Sequence, residues 1–195
     1  FHIEGDELSF EILDRYNKNY QLIIDPILIF STFSGSSANN WGQTATYDNS
    51  GNLYAGSISF AQGYPTTLGP YQAFYAGGPG NWGTDICISK FNSSGTNLIY
   101  STYLGGTGNE NPHSLVVNEN NELFVFGSTG SNDFPTTLGC YDNTFNGGTN
   151  WSFLGIIEYP NGIDAFVTKF TSLGNSLIGS TYIGGTGNDG VNLTG

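Results

Sequence analysis

The stretch Leu98-Ile-Tyr-Ser-Thr-Tyr-Leu-Gly-Gly-Thr-Gly-Asn-Glu110 recurs as Leu177-Ile-Gly-Ser-Thr-Tyr-Ile-Gly-Gly-Thr-Gly-Asn-Asp189. A degraded third copy, Leu28-Ile-Phe-Ser-Thr-Phe-Ser-Gly35, lies closer to the N-terminus. The copies begin 70 and 79 residues apart. Self-similarity over such a period is typical of repeat proteins, in which each copy is one structural unit. The sequence therefore predicts a chain of successive, similar units.

Other landmarks recur in the same register, and their spacing locates an insertion. Each pair is separated by one of the two steps: residues 64–71 and 134–141 (YPTTLGPY and FPTTLGCY), Gly77-Gly78 and Gly147-Gly148, and residues 85–91 and 164–170 (DICISKF and DAFVTKF). The nine-residue difference between the steps therefore falls between Gly148 and Asp164, within the second unit.

Each unit contains four runs of β-branched and aromatic residues that are bounded by Gly, Asn and Ser, as strands are. No stretch shows a 3.6-residue apolar period. The predicted strands are 43–47, 53–58, 85–91 and 98–104 in the first unit, and 113–117, 123–128, 164–170 and 177–183 in the second. Four antiparallel strands at this period predict an all-β fold, a β-propeller fragment of about two complete blades with partial flanking strands. A stack of β-solenoid rungs is the alternative, although rungs are usually shorter.

These spacings also predict the domain boundaries. We expect residues 1–26 to be the β-hairpin end of a preceding β-rich domain and residues 27–195 to be propeller repeats. The units would span about 27–104 and 105–183, with a third beginning at 184–195. Since propellers have about 4–8 blades and the chain begins with Phe1 rather than Met, we expect a piece of a longer chain that completes the ring.

Three of the motifs, in this order, resemble the bacterial seven-bladed β-propeller (SBBP) repeat family: STYLGGTGNE at 101–110, FPTTLGCY at 134–141 and DAFVTKF at 164–170. The resemblance covers about Ile27 to Gly195, and residues 20–28 are similar to the end of the β-rich domain that often precedes the first blade. It implies a large secreted or cell-surface protein of the kind found in Bacteroidetes, many of which are exported by type IX secretion. Residues 34–40 depart from the family because they lack the Gly-Gly-Thr-Gly-Asn motif.

Charge and composition exclude several partners. The chain has 16 acidic and 4 basic residues, with a net charge of −12. Nucleic acids and anionic membrane surfaces are bound through Lys and Arg, so neither is expected as a partner. No apolar run reaches the ~20 residues of a membrane-spanning helix. The expected partners are other domains of the same chain and surface glycans or proteins, at an extracellular or outer-surface location.

Two carboxylates are candidate metal ligands. Glu110 and Asp189 end the two Gly-rich turns, where exposed carbonyl groups beside a carboxylate would suit Ca²⁺. The alternative is that these carboxylates cap backbone N–H groups. Asp48-Asn-Ser-Gly-Asn52 resembles the start of a calcium loop but lacks its closing Glu, so a hairpin turn is predicted there. We expect no cofactor, with Ca²⁺ as the alternative.

Aromatic residues are the candidate binding feature. The insertion supplies Trp151, Phe153 and Tyr159, and the matching loop of the first unit supplies Trp82. Exposed aromatic rings bind sugar rings or partner surfaces. The alternative is that these rings fold back to cover the edge of a blade.

Little in the sequence points to catalysis. The histidines are His2 and His113, and the adjacent Ser114 does not make a triad. Asp85 with Lys90, and Asp164 with Lys169, recur as potential charge pairs. The sequence does not decide whether Cys87 and Cys140 form a disulfide. We predict a non-catalytic structural or adhesive module. A glycan- or protein-binding propeller is the alternative, followed by a polysaccharide-degrading enzyme that uses Glu110 and Asp189.

Overall fold

The protein is all-β, as predicted. The computed structural model describes residues 2–4, 7–9, 19, 28–80 and 82–190. Within these ranges, eight strands form two four-stranded antiparallel sheets, and four short strands form two hairpins. No helix in the described ranges is long and apolar enough to cross a membrane.

Each repeat unit corresponds to one sheet. The first sheet has the order β3-β4-β5-β6 and the second the order β7-β8-β11-β12. A hairpin, β9–β10, lies in the insertion, and β1–β2 form the N-terminal hairpin. The strands are β1 (His2–Glu4), β2 (Glu7–Ser9), β3 (Asn40–Tyr47), β4 (Leu53–Ser59), β5 (Asp85–Phe91), β6 (Leu98–Leu104), β7 (Glu110–Val117), β8 (Leu123–Thr129), β9 (Trp151–Phe153), β10 (Ile157–Tyr159), β11 (Asp164–Phe170) and β12 (Leu177–Ile183).

The third and fourth strands of each sheet have the predicted bounds, whereas the first strands are longer than predicted. β3 and β7 begin three residues earlier, and both contain a β-bulge, between Gly42 and Thr44 and between Pro112 and Ser114. Gly and Pro weaken the sequence signal of a strand, and Pro is tolerated beside a bulge. Of the predicted domain at 1–26, residues 1, 5–6, 10–18 and 20–26 lie outside the described residues, as do residues 191–195 of the third unit.

The main core lies between the two sheets. We call the face of each sheet that points towards the next unit its forward face, and the opposite side its rear face. Tyr54, Ile88 and Leu104, on the forward face of the first sheet, are buried in one cluster with Phe166 and Tyr182 from the rear face of the second. Because adjacent side chains on a strand point to opposite faces, each sheet can pack on two neighbours.

The recurring Pro-Thr-Thr-Leu-Gly segments cover the edge strand that ends each sheet, β6 in the first and β12 in the second. Thr67 donates its N–H to the Ser101 carbonyl on β6, and its hydroxyl accepts the Ser101 N–H. Thr137 makes the same two bonds with Ser180 on β12. These bonds satisfy backbone groups that an exposed edge strand would otherwise offer to other chains.

The two ends of the sheets differ. Short polar turns close one end, at residues 48–52, 92–97, 118–122 and 171–176. The other end, which we call the loop end, carries the long connections 60–84 and 130–163 and the Gly-rich turn that joins the two sheets. The loop end therefore brings together most of the residues that the sequence singles out.

Candidate functional site

The Gly-rich turn fastens the two units together at the loop end. The Asn109 carboxamide accepts the Thr84 N–H at 2.6 Å and donates to the Glu158 carbonyl at 2.6 Å. The Glu110 N–H donates to the Thr84 carbonyl at 3.0 Å. Gly108 must be a glycine, since a Cβ there would lie 2.5 Å from the backbone of Gly130. The repeated turn is thus a junction of the first sheet, the second sheet and the insertion.

Glu110 is buried at this junction and its carboxyl oxygens accept bonds from the protein. Oε1 accepts from the hydroxyl groups of Thr129 at 2.7 Å and Ser131 at 2.5 Å, and Oε2 accepts from the Gly106 N–H at 3.2 Å. Asp189, at the corresponding position of the next turn, accepts the Gly185 N–H at 2.6 Å. The two candidate metal ligands therefore lie in the two copies of the Gly-rich turn, and each accepts a hydrogen bond from its own turn.

A second carboxyl group, that of Asp85, lies beside Glu110. A Cβ on Gly105 would be 2.6 Å from Glu110 Oε2 and 3.1 Å from Asp85 Oδ1, so both carboxyl groups approach the same glycine. Asp85 Oδ2 accepts from the Ala76 N–H at 2.7 Å, whereas the buried Oδ1 has no donor among the described residues. Burial raises the pKa of Asp85 to about 7 and that of Glu110 to about 8, and the proximity of Asp85 adds to the rise at Glu110. Both carboxyl groups are therefore easier to protonate than ordinary surface carboxylates.

The carboxyl pair recurs in the second unit. Asp164, the counterpart of Asp85, accepts the N–H groups of Asn146 at 2.7 Å and Gly147 at 2.9 Å. A Cβ on Gly184 would lie 2.6 Å from Asp164 Oδ1. Burial raises the pKa of Asp164, and the nearby Asp189 carboxylate contributes to the rise. Among the described residues, no group of three or more His, Cys, Asp or Glu side chains converges as metal ligands.

The potential charge pairs, Asp85 with Lys90 and Asp164 with Lys169, do not form. Asp85 and Lys90 lie towards opposite ends of β5, because a strand rises about 3.3 Å per residue. Lys90 instead pairs with Asp48 at 3.2 Å, and Lys169 pairs with Glu122 at 2.6 Å. Both lysines therefore clamp the short polar turns, far from the loop end.

The turn at residues 48–52 is a hairpin turn, as predicted. Asp48 Oδ1 accepts the N–H groups of Ser50 and Asn52, each at 3.0 Å. In the second unit, Asn118 takes the place of Asp48 and accepts from the Asn120 and Glu122 N–H groups. The acid has moved from the first to the fifth position of the turn, yet it still reaches the lysine of its own sheet.

The predicted aromatic residues lie at the loop end but differ in exposure. Tyr159 is 2% exposed, in a small buried cluster with Ile58, Ile157 and Ile163, against which Trp151 and Phe153 pack half-buried. The ring centroids of Trp151 and Tyr159 are 5.5 Å apart. Trp82 is 43% exposed. Of the four, Tyr159 is the most deeply buried, and it packs in one cluster with Ile58 at the end of the first sheet.

Sequence reasoning missed two further aromatic residues, Trp41 and Phe60. The Phe60 ring lies edge-on between two tryptophan rings, with centroids 4.7 Å from Trp41 and 5.6 Å from Trp82. Trp41 lies just before the predicted start of β3, so it was not considered as part of the sheet. The missed signal is that the repeat counterparts, Asn111 and Gly130, are not aromatic.

A cleft of about 260 Å³ opens beside the insertion hairpin. Its walls carry hydroxyl, amide and carbonyl groups from the Gly-rich turn and from β10, together with the edge of Tyr159. The residues with polar side chains in its lining are Thr107, Asn109, Ser131, Asn132, Glu158 and Asn161. The cleft is therefore suited to a small polar group.

The remaining candidates serve the fold. His113 Nε2 lies 3.1 Å from the Ser128 hydroxyl, and Ser128 is wholly buried, so no substrate can reach that oxygen. His2 lies in β1. Cys87 is buried and Cys140 is half-buried, and both are free thiols rather than a disulfide.

Comparison with known proteins adds no relative. No protein-family model matches the sequence, and no curated protein matches it.

Proposed function

We propose that this chain is a non-catalytic structural and adhesive module, in which four-stranded units stack as blades of a β-propeller within a large secreted or cell-surface protein. The observation that carries the proposal is that the second sheet has an uncovered forward face matching the one it covers on the first. Leu104 is 0% exposed beneath the second sheet, whereas its counterpart Ile183 is 44% exposed. A third unit packed on that face would bury it.

The loops carry the same asymmetry. Tyr71, from the loop of the first unit, packs against Phe170 of the second, with ring centroids 5.7 Å apart. Its counterpart Tyr141 is 90% exposed. An aromatic side chain that repeats in register but packs in only one copy leaves apolar surface on which a further unit could pack.

The rear face of the first sheet supports a preceding unit. A Cβ on Gly95 would lie 2.3 Å from the Phe30 ring, just as one on Gly174 would lie 2.5 Å from the Tyr100 ring. Phe30 and Tyr100 hold the same position in the repeated motif. Residues 28–34 thus lie where the outer strand of a preceding sheet would lie. A groove of about 610 Å³ lies between these residues and the rear face of the first sheet.

A closed ring of units would cover both the rear face of the first sheet and the forward face of the second. In such a ring, the last unit supplies the inner three strands of a sheet, and residues 28–34 supply its fourth strand. The buried junction carboxyl groups favour a structural role over chemistry, since Glu110 is closed to solvent. The resemblance to SBBP repeats supports the secreted or surface location. No nucleic acid is expected as a partner, given four basic residues in the whole chain.

The substitution Ile183→Asp tests the proposal when it is made both in this 195-residue chain and in the natural full-length protein. In the short chain we expect less than about 1 kcal/mol of destabilisation, because the side chain is half-exposed. In the full-length protein we expect about 3 kcal/mol or more, because a charge would be buried between sheets. The measurement is urea unfolding followed by circular dichroism.

Leu173→Asp is the matched control. Leu173 is 70% exposed in a short turn, and its counterpart Ser94 stays exposed even though the second sheet covers the first. The control should have the same small effect in both proteins. An equally small effect of Ile183→Asp in both proteins would contradict the stacking of a further unit.

A further inference from the structure

All three tryptophans of the chain gather at one place on the loop end. Trp41 and Trp82 flank Phe60 edge-on, and we call these three residues the tryptophan platform. Trp151 and Phe60 both pack against the same small buried cluster. Trp41 is 40% exposed and Trp82 is 43% exposed, so both indole rings that contact Phe60 are partly open to solvent.

The repeat does not require this platform. At the corresponding positions of the second unit, 70, 70 and 79 residues later, the residues are Asn111, Gly130 and Asn161. The second sheet forms with the same strand order despite these small or polar residues. A unit of this fold therefore forms without aromatic rings at these three positions. Exposed apolar surface that the fold does not require is typical of a binding site.

The surroundings of the platform favour a neutral, hydroxyl-rich ligand. Lys90 and Lys169 are held in ion pairs at the turns, far from the loop end, whereas the Glu158 carboxylate lies beside Gly80, close along the chain to Trp82. An anionic ligand would be repelled by this acidic protein. Amide and hydroxyl groups line the 260 Å³ cleft, which is near the lower end of ligand-cleft sizes, about 300–1,000 Å³.

The cleft and the aromatic residues are joined through β10. Tyr159 lines the cleft, and Phe60 of the platform packs against the buried cluster that contains Tyr159. Aromatic faces pack against the apolar C–H faces of sugar rings, while amide and hydroxyl groups bond to the sugar hydroxyls. We propose that the tryptophan platform and the adjoining cleft bind a neutral oligosaccharide, with Trp41 and Trp82 as stacking surfaces.

Tryptophan fluorescence tests this proposal directly, because two of the three tryptophans belong to the platform and the third, Trp151, packs against the same buried cluster as Phe60. The chain is titrated with the neutral hexasaccharides of cellulose, xylan, mannan, starch and chitin, and with the anionic polymers polygalacturonate and heparin. We expect a saturable change in emission with at least one neutral oligosaccharide, and none with the anionic polymers. No response to any neutral oligosaccharide, or a response to the anionic polymers alone, overturns the proposal.

Three variants locate the site by calorimetry with the oligosaccharide that responds. Trp82→Ala should weaken binding at least tenfold, whereas Trp82→Phe should keep most of it because a ring remains. Tyr141→Ala, which removes an aromatic ring that is 90% exposed elsewhere, should leave the affinity unchanged. Equal affinities of Trp82→Ala and the parent chain overturn the proposal, as does capture of a protein but no glycan by this surface. Comparing Trp82→Phe with Trp82→Ala separates loss of the ring from loss of folding.

Discussion

The carboxyl groups of Asp85 and Glu110, which belong to adjacent sheets, are buried side by side against Gly105. Two carboxylates cannot both ionise cheaply in such a place, because each is desolvated and each repels the other. The pKa values of about 7 and about 8 express that cost. The raised pKa values favour a proton at the junction near neutral pH, and burial likewise raises the pKa of Asp164 in the second unit.

The stability of the protein is expected to fall as the pH rises from about 5 to 9. In the unfolded chain both carboxyl groups titrate near pH 4, so at neutral pH the folded state binds more protons than the unfolded state. Each carboxyl group then lowers the free energy of unfolding by up to about 1.4 kcal/mol per pH unit. The measurement is urea unfolding at each pH.

Glu110→Gln should flatten this pH dependence, because it removes one titrating group and keeps the size of the side chain. Glu119→Gln is the control, since Glu119 is exposed in a short turn and should leave the slope of stability against pH unchanged. An unchanged slope in Glu110→Gln would show that the junction does not hold the proton.

Moving the acidic residue of the first turn from position 48 to position 52 should preserve the ion pair with Lys90. Asp48→Asn should cost about 3 kcal/mol, because Lys90 is left buried without its carboxylate. Adding Asn52→Glu copies the second unit, where the acid at the fifth position of the turn serves Lys169, and should restore most of the loss. Thermal unfolding measures both effects. A double variant no more stable than Asp48→Asn would mean that the two turns are not equivalent.

Packing of Tyr100 against the next unit can be measured with a pair of glycines. Gly174 has φ +66° and a Cβ there would lie 2.5 Å from the Tyr100 ring, whereas Gly155 has φ +67° and open space around it. Both Gly→Ala changes carry the cost of a left-handed backbone, about 1–2 kcal/mol. Gly174→Ala should cost about 2 kcal/mol more, because the ring must move. Equal unfolding temperatures of the two variants would contradict this packing.

The strands were predictable where the sequence contains two copies of the same strand, one in each repeat unit. Residues 85–91 and 164–170 have different side chains but the same spacing from their neighbours, and both are strands with the predicted bounds. The β9–β10 hairpin has no counterpart in the first unit, and its three-residue strands are too short to show a period. An element that occurs once, in an insertion, carries no such internal evidence.

Side-chain partners were less predictable, because they depend on which strand ends meet. Asp85 and Lys90 recur together, but recurrence reflects the shared sheet and not contact between them. Their actual partners, Glu110 and Asp48, come from another sheet and from a turn. The burial of Tyr159 likewise follows from the way the insertion folds over Ile58, which no local pattern encodes.

An experimental structure of the natural full-length protein tests the repeating stack most directly. We expect a third sheet against the forward face of the second, with Tyr141 packed on the residue that corresponds to Phe170. Residues 28–34 should pair as the outer strand of the sheet that closes the ring. A forward face left open to solvent, with Tyr141 unpacked and residues 28–34 unpaired, would contradict the propeller.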